Sequence, residues 1–212
     1  MNEPKFVHPA NWIVSGMTGS GKTFWVYNLL SNKSELFTEP PVKVLYCYSI
    51  WQPLFNTMEK TLGVVFQKGI PSEEDISDFY NSGSHNMIIL DDLQQEVVNN
   101  KIVEKLFTQM CHHYCISVIF INQNLFYQGK CARSLHLNTY YTVLLKNQRN
   151  IQQISILGRQ IGKAKLLIDG YTDVMRKPYG YLLLDLSPSS GENLQIRTNI
   201  FPHEFPMVVY KE

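Results

Sequence analysis

Trp12-Ile13-Val14-Ser15-Gly16-Met17-Thr18-Gly19-Ser20-Gly21-Lys22-Thr23-Phe24-Trp25-Val26 decides the fold. A short apolar run enters a glycine-rich loop, which ends in Lys-Thr and opens an apolar-periodic segment. This is a complete G-x-x-x-x-G-K-T phosphate loop in a strand–loop–helix context. Gly16, Gly19 and Gly21 permit backbone angles that a Cβ resists, so successive N–H groups can turn inward as an anion nest. The following helix adds its free donors and dipole, which favour phosphate. Gly16, Met17, Thr18, Gly19, Ser20, Gly21, Lys22 and Thr23 are therefore the expected nucleotide-binding residues. Lys22 is expected to reach the β- and γ-phosphates of ATP, and Thr23 to place its hydroxyl on Mg²⁺.

Working outward, the 212 residues suit one α/β domain spanning 1–212. No apolar run has the length that spans a bilayer. Met1-Asn2-Glu3-Pro4-Lys5 lacks a basic-then-apolar signal pattern. The expectation is an intracellular, soluble protein with no membrane partner. Cys47, Cys111, Cys115 and Cys131 lack paired metal spacing. Cys111-His112-His113-Tyr114-Cys115 reads as reduced thiols on one face of a buried helix end, with a metal site the less favoured reading.

The segments alternate. Val42–Cys47 is an apolar, β-branched strand after Pro40-Pro41. Trp51-Gln52-Pro53 opens a helix ending near Gly63, and Val64–Phe66 is a short strand. Ser72-Glu73-Glu74-Asp75 carries a capping serine and first-turn acids. Asn81-Ser82-Gly83-Ser84 is a turn. Met87–Leu90, four apolar residues in a row, predicts a strand buried on both faces. Asn100–Cys115 is helical by period, Ser117–Gln123 is a buried strand and Tyr140–Leu145 another. A helix follows over 151–161, and Tyr181–Leu186 with Leu194–Thr198 forms a closing β-hairpin. The fold class is a P-loop NTPase: a mostly parallel central sheet flanked by helices on both faces.

Asp91 ends a buried strand at the carboxyl edge, where α/β sheets place ligands, and is the expected support for Mg²⁺. Asp92 either activates the attacking water or caps the next helix. Gln123, at the end of the next strand, either senses the γ-phosphate or is a satisfied core amide. Two strands lie in sequence between the loop strand and the Asp91 strand, which suits the hydrolase branch of these folds. A small-molecule or nucleotide kinase would more often show a basic lid, for which Lys163-Ala164-Lys165 is a faint candidate.

Net charge is only +1, yet no acid occurs between Lys105 and Ile168. That stretch holds Lys105, Lys130, Arg133, Lys146, Arg149, Arg159, Lys163 and Lys165. It reads either as a solvated face or as a surface for phosphates of nucleic acid or a neighbour's nucleotide. Arg133 and Arg149 are the candidates for an arginine supplied across a subunit boundary, for DNA phosphate contacts, or for surface ion pairs.

The chain resembles the genome-packaging ATPases of Polinton (Maverick) elements, adintoviruses and related large DNA viruses including poxviruses, within the FtsK–HerA superfamily. The matching residues are Phe6-Val7-His8-Pro9 before the phosphate loop, Tyr46-Cys47-Tyr48-Ser49 with Trp51-Gln52, and Ile89-Leu90-Asp91-Asp92. Asn122-Gln123-Asn124-Leu125-Phe126, Arg133 with Asn138, and Leu145-Lys146-Asn147-Gln148-Arg149 with Arg159-Gln160 also match, as does 179–188. The resemblance implies a homo-oligomeric ring that hydrolyses ATP and drives double-stranded DNA into a capsid. It implies a capsid or portal-vertex partner and a place in the host cell at the assembling capsid. Lys22, Asp92, Gln123 and Arg149 or Arg133 are then catalytic, and Thr23 and Asp91 hold Mg²⁺. Many relatives have Glu where this chain has Asp92, one methylene shorter. A nucleotide-gated capsid adaptor with little turnover is the binding-class alternative.

Overall fold

Alternation of apolar strands with amphipathic helices builds one nine-stranded sheet in the computed structural model. The structure describes residues 4–211 apart from 81–83, 98, 127, 130, 148 and 150. Most of the expected Asn81–Ser84 turn, Lys130 of the basic stretch and Gln148 of the matching segments lie outside the described residues.

In chain order come β1 (Asn11–Ser15), α1 (Lys22–Ser31), α2 (Lys33–Leu36), β2 (Lys43–Tyr48), α3 (Pro53–Leu62), β3 (Val65–Lys68), α4 (Glu73–Phe79) and β4 (Asn86–Asp91). Then follow α5 (Gln94–Val97), α6 (Lys101–Lys105), a π turn (Leu106–Met110), α7 (Cys111–His113), β5 (Ile116–Asn122), α8 (Ala132–Leu137) and β6 (Tyr141–Leu145). The chain closes with α9 (Ile151–Gln160), α10 (Ala164–Val174), β7 (Tyr181–Asp185), β8 (Ile196–Thr198) and β9 (Val208–Tyr210).

Local chemistry sets the boundaries. Pro53 opens α3, where its fixed φ suits the first turn, and Gly63 ends it at φ 65°. Ser72 and Asp75 form a reciprocal capping box on α4. Asn100 caps α6 through the Ile102 and Val103 amides. The expected helix to Cys115 stops at His113, and Cys115 takes φ 50° beyond it, so the two cysteines do not share a helical face. Burial pushes the Cys111 thiol up to about 12, which keeps it protonated at neutral pH.

The sheet order is β3-β2-β4-β5-β1-β6-β7-β8-β9. Neighbours from β3 to β6 pair parallel, and β6–β7, β7–β8 and β8–β9 pair antiparallel. Every residue of β1, β4, β5, β6 and β7 is buried. Alternate residues serve different cores, as the pleat requires. Met87, Ile89, Ile119 and Ile121 share a cluster with Trp25, Val26 and Leu29 of α1 and with Phe55 and Met58 of α3. Ile88, Leu90, Val118 and Phe120 cluster with Ile76, Val97, Val103 and Leu106. Ile13, Leu144, Leu182 and Leu184 cluster with Ile154, Leu157, Leu167, Tyr171 and Val174 of α9 and α10.

The strand between β1 and β4 is β5, which comes later in sequence than either. The two strands that intervene in sequence, β2 and β3, lie outside β4. This order puts the carboxyl ends of β4 and β5 on one flank of the phosphate loop, and β6 on the other. Among the described residues, no helix is long and apolar enough to cross a membrane.

Candidate functional site

The loop after β1 is pinned from both neighbouring strands. Gly16 N–H donates to Asn122 O of β5 at 3.2 Å, and Met17 N–H to Lys146 O after β6 at 3.0 Å. A side chain at Gly16 would meet Ser20 Oγ at 2.6 Å and Leu145 Cβ at 2.8 Å, so only glycine fits this close approach. Gly19 and Gly21 take φ 78° and 95°, which swing the following amides into the loop. The Ser20 hydroxyl is buried there with no hydrogen-bond partner among the described residues.

Lys22 Nζ donates to Gly16 O at 2.7 Å and Met17 O at 3.0 Å. The ammonium thus lies over the concave side of its own loop. Burial lowers its pKa, and Asp91 and Asp92 pull it back up. Thr18, Gly19, Gly21, Lys22 and Thr23 line a cleft of about 430 Å³ with Asp91, Asp92, Asn122 and Gln123. The expected loop, Asp91, Asp92 and Gln123 therefore meet at one place.

Sheet register explains the most buried part of the site. Tyr46 on β2 stands opposite Ile89 on β4, so its ring lies on the same face as Asp91, two residues further on. A diagonal neighbour at that spacing is within reach of an aromatic side chain. The fully buried Tyr46 donates its phenol proton to Asp91 Oδ2 at 2.7 Å. Thr23 lies beside Asp91 and favours its charged form. Burial raises the Asp91 carboxyl from 3.8 to about 6 and Asp92 pushes the same way, while the Tyr46 bond, the Lys22 charge and Thr23 oppose them. Burial and the Asp91 carboxylate push the Tyr46 phenol far up, so it stays a donor.

Asp92 differs in every respect. It is exposed, and its backbone is left-handed at φ 56°. For residues with a Cβ this conformation costs about 1–2 kcal/mol, less for Asp, and such strain concentrates at functional sites. Gln123 lies one residue past β5, not within it, and is exposed. It is therefore not a core amide. The core amide is Asn122, whose Oδ1 accepts from Gln123 N–H at 2.7 Å and whose Nδ2 donates to Asn124 O at 2.9 Å. The Gln123 carbonyl is held in turn by Asn147 Nδ2 at 3.1 Å.

Neither arginine lines this cleft. Arg149 is exposed on the turn after β6, its N–H donating to Asn147 Oδ1 at 3.2 Å. Arg133 is exposed on α8, beside a groove it shares with Phe126, His136, Leu137 and Leu157. Sequence reasoning assigned no role to Tyr46, Gln52, Leu54, Phe24 or Asn122, all of which reach the site. A polar residue at or next to the end of a strand was the available signal for Asn122 alone.

The donors fit a magnesium polyphosphate. An ammonium, a glycine nest and a buried serine hydroxyl suit phosphate oxygens. Thr23 and Asp91 offer two hard oxygen ligands side by side, enough for a Mg²⁺ that takes its other ligands from phosphate and water. Among the described residues no group of three or more His, Cys, Asp or Glu forms a metal cluster.

No protein-family model and no curated protein sequence matches the chain. Solved structures do. B204, the DNA-packaging ATPase from Sulfolobus Turreted Icosahedral Virus, superposes with a TM-score of 0.56 over 100% of this chain and 98% of its own, at 10% identity. The chain has the fold of this packaging ATPase. The genome packaging NTPase B204 of Sulfolobus turreted icosahedral virus 2, in complex with ATP-gammaS, matches at TM-score 0.53 and 11% identity over 95% and 96% of the chains. The cytoplasmic domain of the Type VII secretion ATPase EccC from Thermomonospora curvata matches at 0.54 and 14% identity, over 95% of this chain and 25% of that one. The shared ATPase fold is an α/β fold with a mostly parallel sheet.

Proposed function

We propose that this chain is the ATP-hydrolysing subunit of a viral genome-packaging motor, of the poxvirus, Polinton and adintovirus type. One observation carries the reading: Lys22, Thr23, Asp91, Asp92 and Gln123, drawn from three strand ends, converge on one cleft in a fold that matches a DNA-packaging ATPase end to end.

The chemistry follows from the side chains. The loop amides and Lys22 hold the β- and γ-phosphates of ATP. Thr23 and Asp91 would hold Mg²⁺, which neutralises phosphate charge when bound. Gln123, on a loop braced by Asn122 and Asn147, orients a water in line with the γ-phosphorus. Asp92, exposed at the mouth, takes the proton as the water oxygen bonds to phosphorus and the bond to ADP breaks. The left-handed turn at Asp92 sets its backbone apart from an ordinary strand end, and its side chain is one methylene shorter than Glu. Arg133 and Arg149 stand away from their own cleft, which supports an arginine acting on a neighbour's ATP within a homo-oligomeric ring. The acid-free, basic segment supports sequence-independent contact with double-stranded DNA. A capsid or portal-vertex protein would anchor the ring in the infected host cell.

The test is ATP turnover by the assembled protein with and without double-stranded DNA, for wild type and Lys22→Ala. Stimulation by DNA that Lys22→Ala abolishes is the expected result. Turnover indifferent to DNA sinks the motor reading, and phosphate transfer to an acceptor other than water would make the chain a kinase.

A further inference from the structure

We propose that Tyr179 is the platform on which the base of the bound nucleotide stacks, at the rim of the phosphate loop opposite Asp91 and Asp92. The proposal rests on the nucleotide-binding part of the reading above and is independent of DNA packaging.

Strand order sets the direction of the ligand. The groups that would meet the γ-phosphate, Asp91, Asp92 and Gln123, end or follow β4 and β5 on one side of β1. A nucleoside triphosphate lying across the loop must carry its base to the other side, where β6 and β7 lie. Strand β7 runs antiparallel to β6, with Tyr181 opposite Leu145, so its first residue lies at the carboxyl edge of the parallel strands. Lys177-Pro178-Tyr179-Gly180 leads into that edge. A Cβ built on Gly21 would stand 3.1 Å from Tyr179 Cδ1, so the tyrosine ring lies directly against the phosphate loop.

The ring is held there at a conformational cost. Among the described residues, four without glycine's freedom take a left-handed backbone: Asp92, Cys115, Tyr179 and Asn199. Asp and Asn tolerate it, and a bulky aromatic residue does not. The turn is also tight, since a Cβ on Gly180 would collide with Val174 O. Tyr179 nevertheless leaves 71% of its surface exposed. Core packing does not explain a strained, exposed aromatic. A ligand with a flat face does, because an aromatic ring beside a polyphosphate site offers a stacking surface that tolerates any base. Two of the four left-handed residues, Asp92 and Tyr179, thus stand beside the phosphate loop.

The positive φ makes the test clean. Glycine adopts φ 56° without strain, so Tyr179→Gly removes the ring without straining the turn. The measurement is the affinity of ATP, GTP and inorganic tripolyphosphate for wild type, Tyr179→Gly and Tyr179→Phe. Tyr179→Gly is expected to lose roughly 10-fold in affinity for ATP and GTP alike and to bind tripolyphosphate as wild type does. Tyr179→Phe keeps the ring face and regains what the glycine variant loses. Equal losses for ATP and tripolyphosphate would mean that the ring only shapes the loop, and would overturn the proposal. So would unchanged ATP affinity in Tyr179→Gly, or a wild type that binds ATP no tighter than tripolyphosphate. Failure of the motor reading appears instead as missing DNA stimulation, with these affinities intact.

Discussion

The two flanks of β1 are built from different kinds of sheet and offer different chemistry. On one side, β5, β4, β2 and β3 run parallel, and they bring the buried Asn122 and the buried, hydrogen-bonded pair of Asp91 and Tyr46 to one flank of the loop. On the other, β6 is the last parallel strand, and antiparallel β7 returns with the strained Tyr179, while Arg149 stands exposed on the turn after β6. Parallel strands deliver strand ends to one edge with little freedom. The antiparallel return delivers loop residues to the same edge, where they face solvent. The first flank thus holds its carboxylate buried and bonded, and the second leaves its charged and aromatic side chains exposed.

The sharpest way to break this contrast is to ask whether Arg149 serves its own cleft or a neighbour's. Arg149→Ala is expected to lower turnover in the assembled ring by about 10³-fold or more, the range found for arginines that act in trans. Asp92→Asn is expected to cost about 10²–10⁴-fold, as loss of a general base does. Mixing the two inactive chains should recover activity, because some interfaces then hold an intact Asp92 facing an intact Arg149. If steady-state ATPase assays of mixtures show no recovery, Arg149 has another role and Arg133 becomes the candidate.

A smaller effect tests the buried flank. Tyr46→Phe keeps the ring and removes the hydroxyl that holds Asp91 Oδ2. Loss of a group that orients a metal ligand typically costs 10–100-fold in metal affinity. Mn²⁺ binding in the presence of nucleotide, read by electron paramagnetic resonance, should weaken by about 10-fold, and metal-free nucleotide binding should not change. Equal metal affinity in the two proteins would reduce Tyr46 to packing.

The smallest effect is on stability against pH. Burial lifts Asp91 from 3.8 to about 6, so the folded protein holds that proton after the unfolded chain has released it. Stability from this group therefore falls as pH rises from about 4 to about 6, by on the order of 2 kcal/mol. Burial of His8 lowers its pKa from 6.5 to about 4, which works in the opposite direction over an overlapping range. The difference between wild type and Asp91→Asn isolates the carboxylate. Denaturant midpoints at pH 4.5 and 6.5, without nucleotide, should show wild type losing stability relative to the variant as pH rises. Parallel midpoints would mean that Asp91 is ionised throughout.

Much of the molecule was legible in local chemistry. The helix after the phosphate loop spans Lys22–Ser31 as its apolar pattern predicts, and the Ser72 cap and the four-residue apolar run of β4 read correctly, because capping and burial are properties of neighbouring residues. Helix α10 was missed. It has no side-chain cap and carries Gly170 in its interior, where the Tyr210 ring packs so closely that a Cβ would meet it at 3.2 Å. That glycine weakens the local signal and serves a contact 40 residues away in sequence, between residues 170 and 210. Strand β9 was also missed, since three residues at a sheet edge carry little pattern.

The candidate site divides along the same line. The residues expected to bind phosphate lie in one contiguous stretch, because the nest, the lysine and the helix start all fall within Gly16–Thr23. That an acid at a strand end would join them followed from burial on both faces of β4. Only the tertiary structure decided that β5, later in sequence than β1 and β4, lies between them, that Tyr46 reaches Asp91 across the register of β2 and β4, and that Tyr179 rests on Gly21. The reason is physical. Loops, caps and burial patterns are set by interactions a few residues apart, and these can be read along the chain. Strand order and register are set by the packing of whole faces against one another, which no single stretch of sequence contains.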